Sequence, residues 1–218
     1  MSTGYNNFVY SLTSMLNQIV PVLTKISLLP KLIGLINPQF RATSPYLFLR
    51  QAAVLADINL DSLMASGIRG IILDLDNTIV SEDDRYLSPE AVSWVSQAKQ
   101  LGFKLFILSN GKRRYRVEYW SQFLELVAIN PAKKPFPAAF RKAMNVMQLS
   151  PSAVVVIGDS RHTDVFGAWL AGCPSIQVAS LPHPPRWWEK LLGKYVQTPY
   201  PKDRVLWDFQ PQNHYMKR

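Results

Sequence analysis

The sequence predicts an α/β fold: a three-layer α/β/α sandwich around a central parallel sheet. Two observations carry the expectation. Short unbroken apolar runs recur at 70–75 (GIILDL), 104–109 (KLFILS) and 153–159 (AVVVIGD), and amphipathic helical stretches separate them, as in βαβ units. The runs also lack polar alternation, the mark of strands covered on both faces. The chain has 218 residues, 48% hydrophobic and 18% charged, enough for one sizeable domain with extensions.

Each element follows from local signals. GIILDL is the first strand. Residues 87–102 form a helix, with Ser88 as cap, Pro89 in the first turn and Gly102 as stop. KLFILS is the second strand. A helix is expected over 111–125, a short third strand over 126–130 and a helix over 135–149, with Pro135 and Pro137 near its start. AVVVIGD is the fourth strand, a helix runs through 163–172, and 174–179 is the fifth strand. An arm at 1–45, punctuated by Pro21, Pro30, Pro38 and Pro45, precedes the main domain at 46–182. A basic, aromatic extension occupies 183–218.

Net charge is +9, unevenly placed. Residues 1–56 carry Lys25, Lys31, Arg41 and Arg50 and no acid. From Leu181 onward there are seven Lys/Arg against three acids. Basic ends suit anionic partners (a membrane surface, nucleic acid or phosphorylated substrates), although ordinary solubilising charge reads the same way. The single cysteine, Cys173, fits a reducing compartment, cytoplasmic or organellar. Residues 1–24 lack charge but are interrupted by polar residues, and 26–36 are too short to span a bilayer. The first basic residue is Lys25, so no secretory leader is expected. Phe8, Leu12, Met15 and Ile19 share one helical face, which either lies on a membrane or packs on the core.

Chemistry is expected at the carboxyl ends of the parallel strands. Four polar segments fall there in order. Asp74-Leu75-Asp76-Asn77-Thr78 ends the first strand. Two acids at i and i+2 repel, so one must bind a cation or stay protonated. That suits a nucleophile beside a metal and a separate proton shuttle. Ser109-Asn110-Gly111 could hold an anionic oxygen at a helix start, or simply cap the helix. Lys134 could neutralise a phosphoryl group opposite the acids, with Lys133 as competitor. Gly158-Asp159-Ser160-Arg161-His162-Thr163-Asp164 adds oxygen ligands that suit Mg²⁺. Alone, each segment reads more simply as a loop, a cap or a turn, and Lys134 as a solvated surface charge. Together they are regular: 35 residues from Asp74 to Ser109, then 25 to Lys134 and 25 to Asp159.

The segments DLDNT, LSN, KP and GDSRHTD resemble the four motifs of the haloacid dehalogenase superfamily of phosphatases. The closer resemblance is to its YqeG-like, class IIIA subfamily, which includes mitochondrial-type phosphatidylglycerophosphatases. It covers roughly residues 55–180 and implies the Rossmann-like fold of that superfamily. It departs at Ser160, where the subfamily tends to have Gln, and at 166–169, where Gly-Gly-Asn is often seen. The resemblance implies that Asp74 attacks phosphorus to form an aspartyl-phosphate. Asp76 then protonates the leaving group and activates water. It also implies Mg²⁺ between Asp74, the Asp76 carbonyl and Asp159, with Thr78 and Asp164 in support. Ser109, Asn110 and Lys134 hold the phosphoryl oxygens.

Only 33 residues separate Asp76 from Ser109, and 25 separate Ser109 from Lys134, so no large cap domain is expected. An open site could admit a bulky substrate. The subfamily resemblance, the acid-free arm and PPRWWEKLLGKYV at 184–196 favour an anionic lipid, phosphatidylglycerophosphate, at a membrane surface. That aromatic stretch equally suits a helix packed on the domain. A soluble phosphomonoester or nucleotide is the alternative substrate. A non-catalytic RNA- or partner-binding protein is the alternative of another class, but a scaffold has no need of Asp74, Asp76, Lys134 and Asp159 together, which argues against nucleic acid as partner.

Overall fold

A computed structural model describes residues 50–185, 189–190 and 197–208. The chain divides into a unit of Met1–Ser44 and a unit of Pro45–Arg218, and the described residues all belong to the second. The amphipathic face of the arm lies outside the described residues. So does all of PPRWWEKLLGKYV except Pro184, Pro185, Glu189 and Lys190.

Six strands form one wholly parallel sheet: β1 (Arg50–Gln51), β2 (Gly70–Leu73), β4 (Lys104–Leu108), β5 (Val127–Ile129), β6 (Val154–Gly158) and β7 (Ser175–Gln177). Their order across the sheet is β1-β7-β6-β2-β4-β5. β3 (Tyr86–Leu87) and β8 (Trp207–Asp208) form a separate antiparallel pair. The helices are α1 (Leu60–Ala65), α2 (Pro89–Gln100), α3 (Arg114–Leu124), α4 (Ala138–Met147) and α5 (Phe166–Ala171).

The apolar runs are explained by cover on both sides. Ile71 and Leu73 of β2 point into a core with Trp94, Val95 and Trp120 from α2 and α3. Ile72 points the other way, into a core with Phe140, Met144 and Ala168 from α4 and α5. β4 and β6 divide their side chains between the same two cores. Each such large side chain contributes about 1.5–3 kcal/mol by leaving water. That packing holds the sheet edge rigid where the polar ends gather.

Register then builds the site. Leu73 is paired with both Ile107 and Ile157, so the residues just beyond β2, β4 and β6 emerge side by side. The N–H of Asp74 still donates to the Ile157 carbonyl at 2.9 Å, which pins it at the strand tip. α2 matches the expectation closely: Ser88 accepts from the Ala91 N–H at 3.2 Å and Pro89 comes next in the chain. α3 begins at Arg114 rather than Gly111: Arg113 is still extended (φ −88°, ψ 92°), and the Ser109 hydroxyl accepts from the Gly111 N–H at 2.9 Å within the preceding segment. Ser109-Asn110-Gly111 is therefore a loop, not a helix start. The stretch after β6 opens as a π-turn over Arg161–Val165 before α5 begins, a local rewinding that the sequence pattern does not announce.

The described part of the C-terminal segment returns over the domain. Trp207 pairs with Leu87 and Asp208 with Tyr86. The Tyr200 hydroxyl lies 3.3 Å from Ser88 Oγ, and Arg204 reaches Asp57 at 2.6 Å and Glu90 at 3.5 Å. No helix of the described residues is long and apolar enough to cross a membrane.

Candidate active site

Asp74, just past the central strand, is buried. Its Oδ1 accepts from the Leu75 N–H at 2.8 Å and lies 2.7 Å from Lys134 Nζ. Both of these contacts fall on Oδ1, which leaves Oδ2 as the oxygen available to attack. Lys134 arrives from the β5–α4 connection, and its Nζ also lies 2.7 Å from Asp164 Oδ1. Asp159, at the tip of β6, is buried beside them and accepts from Gln197 Nε2 at 2.7 Å. Oxygens of Asp74, Asp159 and Asp164 lie within 4.8 Å of one another.

The electrostatics follow from burial. Removal from water holds the Asp74 carboxyl well above the usual carboxylate range; Asp164 adds to the rise and Lys134 opposes it. Asp159 is pushed up to about 7 by burial and then by Asp164. Burial pulls Lys134 down, but Asp164 and Asp74 more than offset it and keep the ammonium charged. Three buried carboxylates thus face one buried ammonium. The surplus negative charge, gathered on oxygens alone, fits a hard divalent cation with oxygen ligands.

The second acid of the pair sits in a different environment. Asp76 Oδ2 accepts from the Ser109 hydroxyl at 2.7 Å, and Oδ1 pairs with the Arg116 guanidinium. Arg116 also pairs with Asp84 and donates to the Ser81 carbonyl at 2.8 Å. Arg113 reaches Asp84 Oδ2 at 3.3 Å. Here two carboxylates meet two guanidinium groups, so charge balances without an added cation.

The structure gathers Asp74, Asp76, Ser109, Asn110, Lys134, Asp159 and Asp164 at one edge of the sheet, whereas Thr78 is not among the residues around the cleft. Asp164, expected in support, stands among the three clustered carboxylates. Asn110 Oδ1 accepts from the Lys134 N–H at 2.8 Å and Nδ2 donates to the Lys134 carbonyl at 2.9 Å, while the side chain also lines the cleft. It clamps the backbone that presents Lys134. Ser109 is occupied by Asp76 and the Gly111 N–H. The Thr78 hydroxyl is buried without a hydrogen-bond partner among the described residues. Arg161 donates to Gln177 Oε1 at 2.7 Å, and His162 Nδ1 lies 2.7 Å from Ser160 Oγ. A cleft of about 390 Å³ opens over Asp74, with Asn77, Glu82, Lys112, His162 and Gln197 around it. Among the described residues its lining has no large apolar side chain.

Sequence reasoning misses Arg116, Asp84 and Gln197. A signal for Arg116 exists: it falls four residues before Trp120 and eight before Leu124, both buried, so a cation sits on the apolar face of α3. Gln197 carries no such mark, since only the return of the C-terminal segment brings it to Asp159.

An acidic nucleophile candidate at the tip of a central parallel strand, with Asp159 on a neighbouring tip, Asp164 in the turn after it and Lys134 from the β5–α4 connection, defines a class of phosphoryl-transfer hydrolase. Residues 59–172 match the family of haloacid dehalogenase-like hydrolases, and the chain belongs to it. It is 38% identical over 118 residues to a probable phosphatase, YqeG, of Bacillus subtilis (strain 168), an alignment covering 54% of this chain and 68% of that protein. This supports membership of the YqeG-like class. It is also 31% identical over 114 residues to a phosphoserine phosphatase of Thermus thermophilus, over 48% of this chain and 46% of that one. A phosphoglycolate phosphatase of Neisseria meningitidis is 31% identical over 99 residues, 41% of each chain. The chain therefore spans under half the length of these last two relatives. It is a phosphatase of the haloacid dehalogenase family.

Gly158 tests the packing of the site. A Cβ there would stand 2.4 Å from Asp164 Cγ and 2.5 Å from Oδ2. Gly158→Ala is expected to push Asp164 off Lys134, costing about 1–3 kcal/mol of stability as overpacking does, and to lower kcat about tenfold or more. Thermal melts and steady-state kinetics check this, and unchanged kcat in a folded variant would contradict the placement of Asp164.

Proposed function

We propose that the protein is a magnesium-dependent phosphomonoesterase that works through an aspartyl-phosphate, and that its substrate is phosphatidylglycerophosphate, hydrolysed to phosphatidylglycerol. The observation that carries the chemistry is the buried group of Asp74, Asp159 and Asp164 around Lys134, three negative charges with one positive partner. Asp74 and Asp159, with the main-chain carbonyl of Asp76, would hold Mg²⁺. The cation would supply neutralisation of the phosphoryl charge and permit a phosphate dianion to approach an ionised Asp74.

The chain's own residues supply the rest. Asp74 Oδ2 forms a bond to phosphorus as the bond to the substrate alcohol oxygen breaks. Asp76 delivers a proton to that oxygen. Lys134, fixed by Asn110 and Asp164, stands beside the transferred group and offsets its charge. A water then attacks phosphorus, Asp76 takes its proton, the Asp74–phosphate bond breaks and phosphate leaves. Acid–base help of this kind contributes about 10²–10⁴-fold. Uncatalysed monoester hydrolysis is slow enough for total accelerations to approach ~10²¹, so cation, lysine and acid must act together.

The lipid reading is supported by the YqeG-like class and by the basic excess of the chain. The phosphorylated headgroup would enter the cleft while the acyl chains stay outside, at a membrane surface to which the protein attaches peripherally. A soluble phosphomonoester is favoured by one observation, the polar lining that the described residues give the cleft, and is in keeping with the names of the Thermus and Neisseria relatives.

Hydrolysis of phosphatidylglycerophosphate in mixed micelles is expected to exceed that of soluble monoesters, serine and glycolate phosphates included, and Asp74→Asn is expected to abolish turnover while remaining folded. Preference for a soluble monoester would overturn the lipid assignment, and an active Asp74→Asn variant would overturn the nucleophile. A second expected outcome concerns pH. With Asp159 raised from 3.8 to about 7 and Asp74 raised beside it, protons compete with the cation below about pH 7. Calorimetric Mg²⁺ affinity is expected to fall about tenfold per pH unit below that point. An affinity that stays level between pH 5.5 and 8 would contradict it. In the same sense, burial of this acid favours the metal-free fold at low pH, and that contribution is lost as pH rises from about 4 towards 7.

A further inference from the structure

Arg116 is among the largest fully buried side chains of the described residues, and it is a cation. Burying a guanidinium is costly, so its partners show what it is for. One is Asp76, the acid–base residue of the proposed reaction. The other is Asp84, whose side chain is buried and which no step of the reaction uses. Asp84 is further held by Trp120 Nε1 at 3.2 Å and by Arg113. Arg116 also donates to the Ser81 carbonyl. The guanidinium is thus anchored by Asp84 and Ser81 on one side and faces a single catalytic acid on the other.

We infer that Arg116, fixed by the Ser81 carbonyl and by an Asp84 that Trp120 holds in turn, is a positioning residue that sets the orientation of the Asp76 carboxylate for proton transfer. The geometry supports this in detail. Asp76 Oδ1 is fixed by Arg116 and Oδ2 by Ser109, so rotation of the carboxylate is blocked at both oxygens. Gly111 closes the remaining side: a Cβ there would lie 3.1 Å from Asp76 Oδ2. A lysine could not replace the fork, because a single ammonium presents no planar pair of donors to two carboxylates. The arrangement also separates the two acids of the motif. Asp74 faces Lys134, which Asp164 shares, and Asp76 faces Arg116, which Asp84 shares, so the two acids of the motif meet different cations.

The inference rests on the reading of Asp76 as acid and base, and its test keeps the two apart. Phosphorylation of Asp74 needs a proton on the leaving oxygen when that group is an alkoxide, and scarcely needs one when it is nitrophenolate. The value of kcat/KM reports this first step alone. Arg116→Met is expected to lose about 10²-fold in kcat/KM on glycerol 1-phosphate and less than about tenfold on 4-nitrophenyl phosphate. The ratio of the two is read on one preparation, so the folded fraction cancels. Arg116→Met leaves Asp84 buried with a weakened partner set, so the double variant Arg116→Met/Asp84→Asn is measured beside it and is expected to show the same selective loss. Asp76→Asn serves as reference. If Asp76→Asn loses activity selectively and both Arg116 variants lose it equally on the two substrates, the positioning role is overturned while the acid–base reading stands. If Asp76→Asn itself shows no selectivity, the acid–base reading falls, and the role of Arg116 with it.

Discussion

Lys134 lies 2.7 Å from both Asp74 and Asp164, at the bottom of a site that removes all three from water. One ammonium can neutralise one carboxylate. Asp159 makes a third acid in the same space. Two buried negative charges therefore stand without a protein cation, and a protein interior does not tolerate that without protonation or a metal. The proton affinities of Asp74 and Asp159 are raised first by burial and then by Asp164. Around the neighbouring acid, Asp76, the protein supplies its own counter-charge through Arg116. That contrast separates the part of the site built for a ligand cation from the part that is complete in itself.

The sheet makes the imbalance sustainable. β2 is flanked by β6 and β4 in matched register, and both faces of the strand are packed. The tips cannot spread to relieve repulsion without unpacking two cores. Glycine at 158 admits the Asp164 side chain to a distance that no Cβ would allow. Asn110 grips both main-chain polar groups of Lys134. The site is thus strained electrostatically and rigid mechanically, the condition under which fixed charges act most strongly on a reacting phosphoryl group.

Much of this is legible in the sequence. Buried strands have unbroken apolar runs, so GIILDL, KLFILS and AVVVIGD announce themselves, and parallel order then puts Asp74, Ser109, Lys134 and Asp159 at one edge. Ser88-Pro89 marks a helix start because a cap side chain and a fixed φ act locally. What escapes is set by contacts between distant segments. Arg50–Gln51 is too short to show a period, and becomes a strand only by pairing with β7. Gln197 gains its role from the return of the C-terminal segment. Residue type alone does not say which way an amide points, so the sequence does not show that Asn110 clamps the Lys134 backbone. Arg116 is hidden in the basic stretch at 112–116, although helical spacing sets it on the buried face.

Surplus carboxylate charge at the strand tips is proposed to hold a divalent cation. A crystal structure of the protein with Mn²⁺ in place of Mg²⁺, located by its anomalous signal, tests it most directly. The ion should appear bonded to carboxylate oxygens of Asp74 and Asp159, near the distances of roughly 2.0–2.1 Å that Mg²⁺ itself demands. An ion bound elsewhere, or an active enzyme whose three acids stay free of metal at saturating concentration, would contradict it.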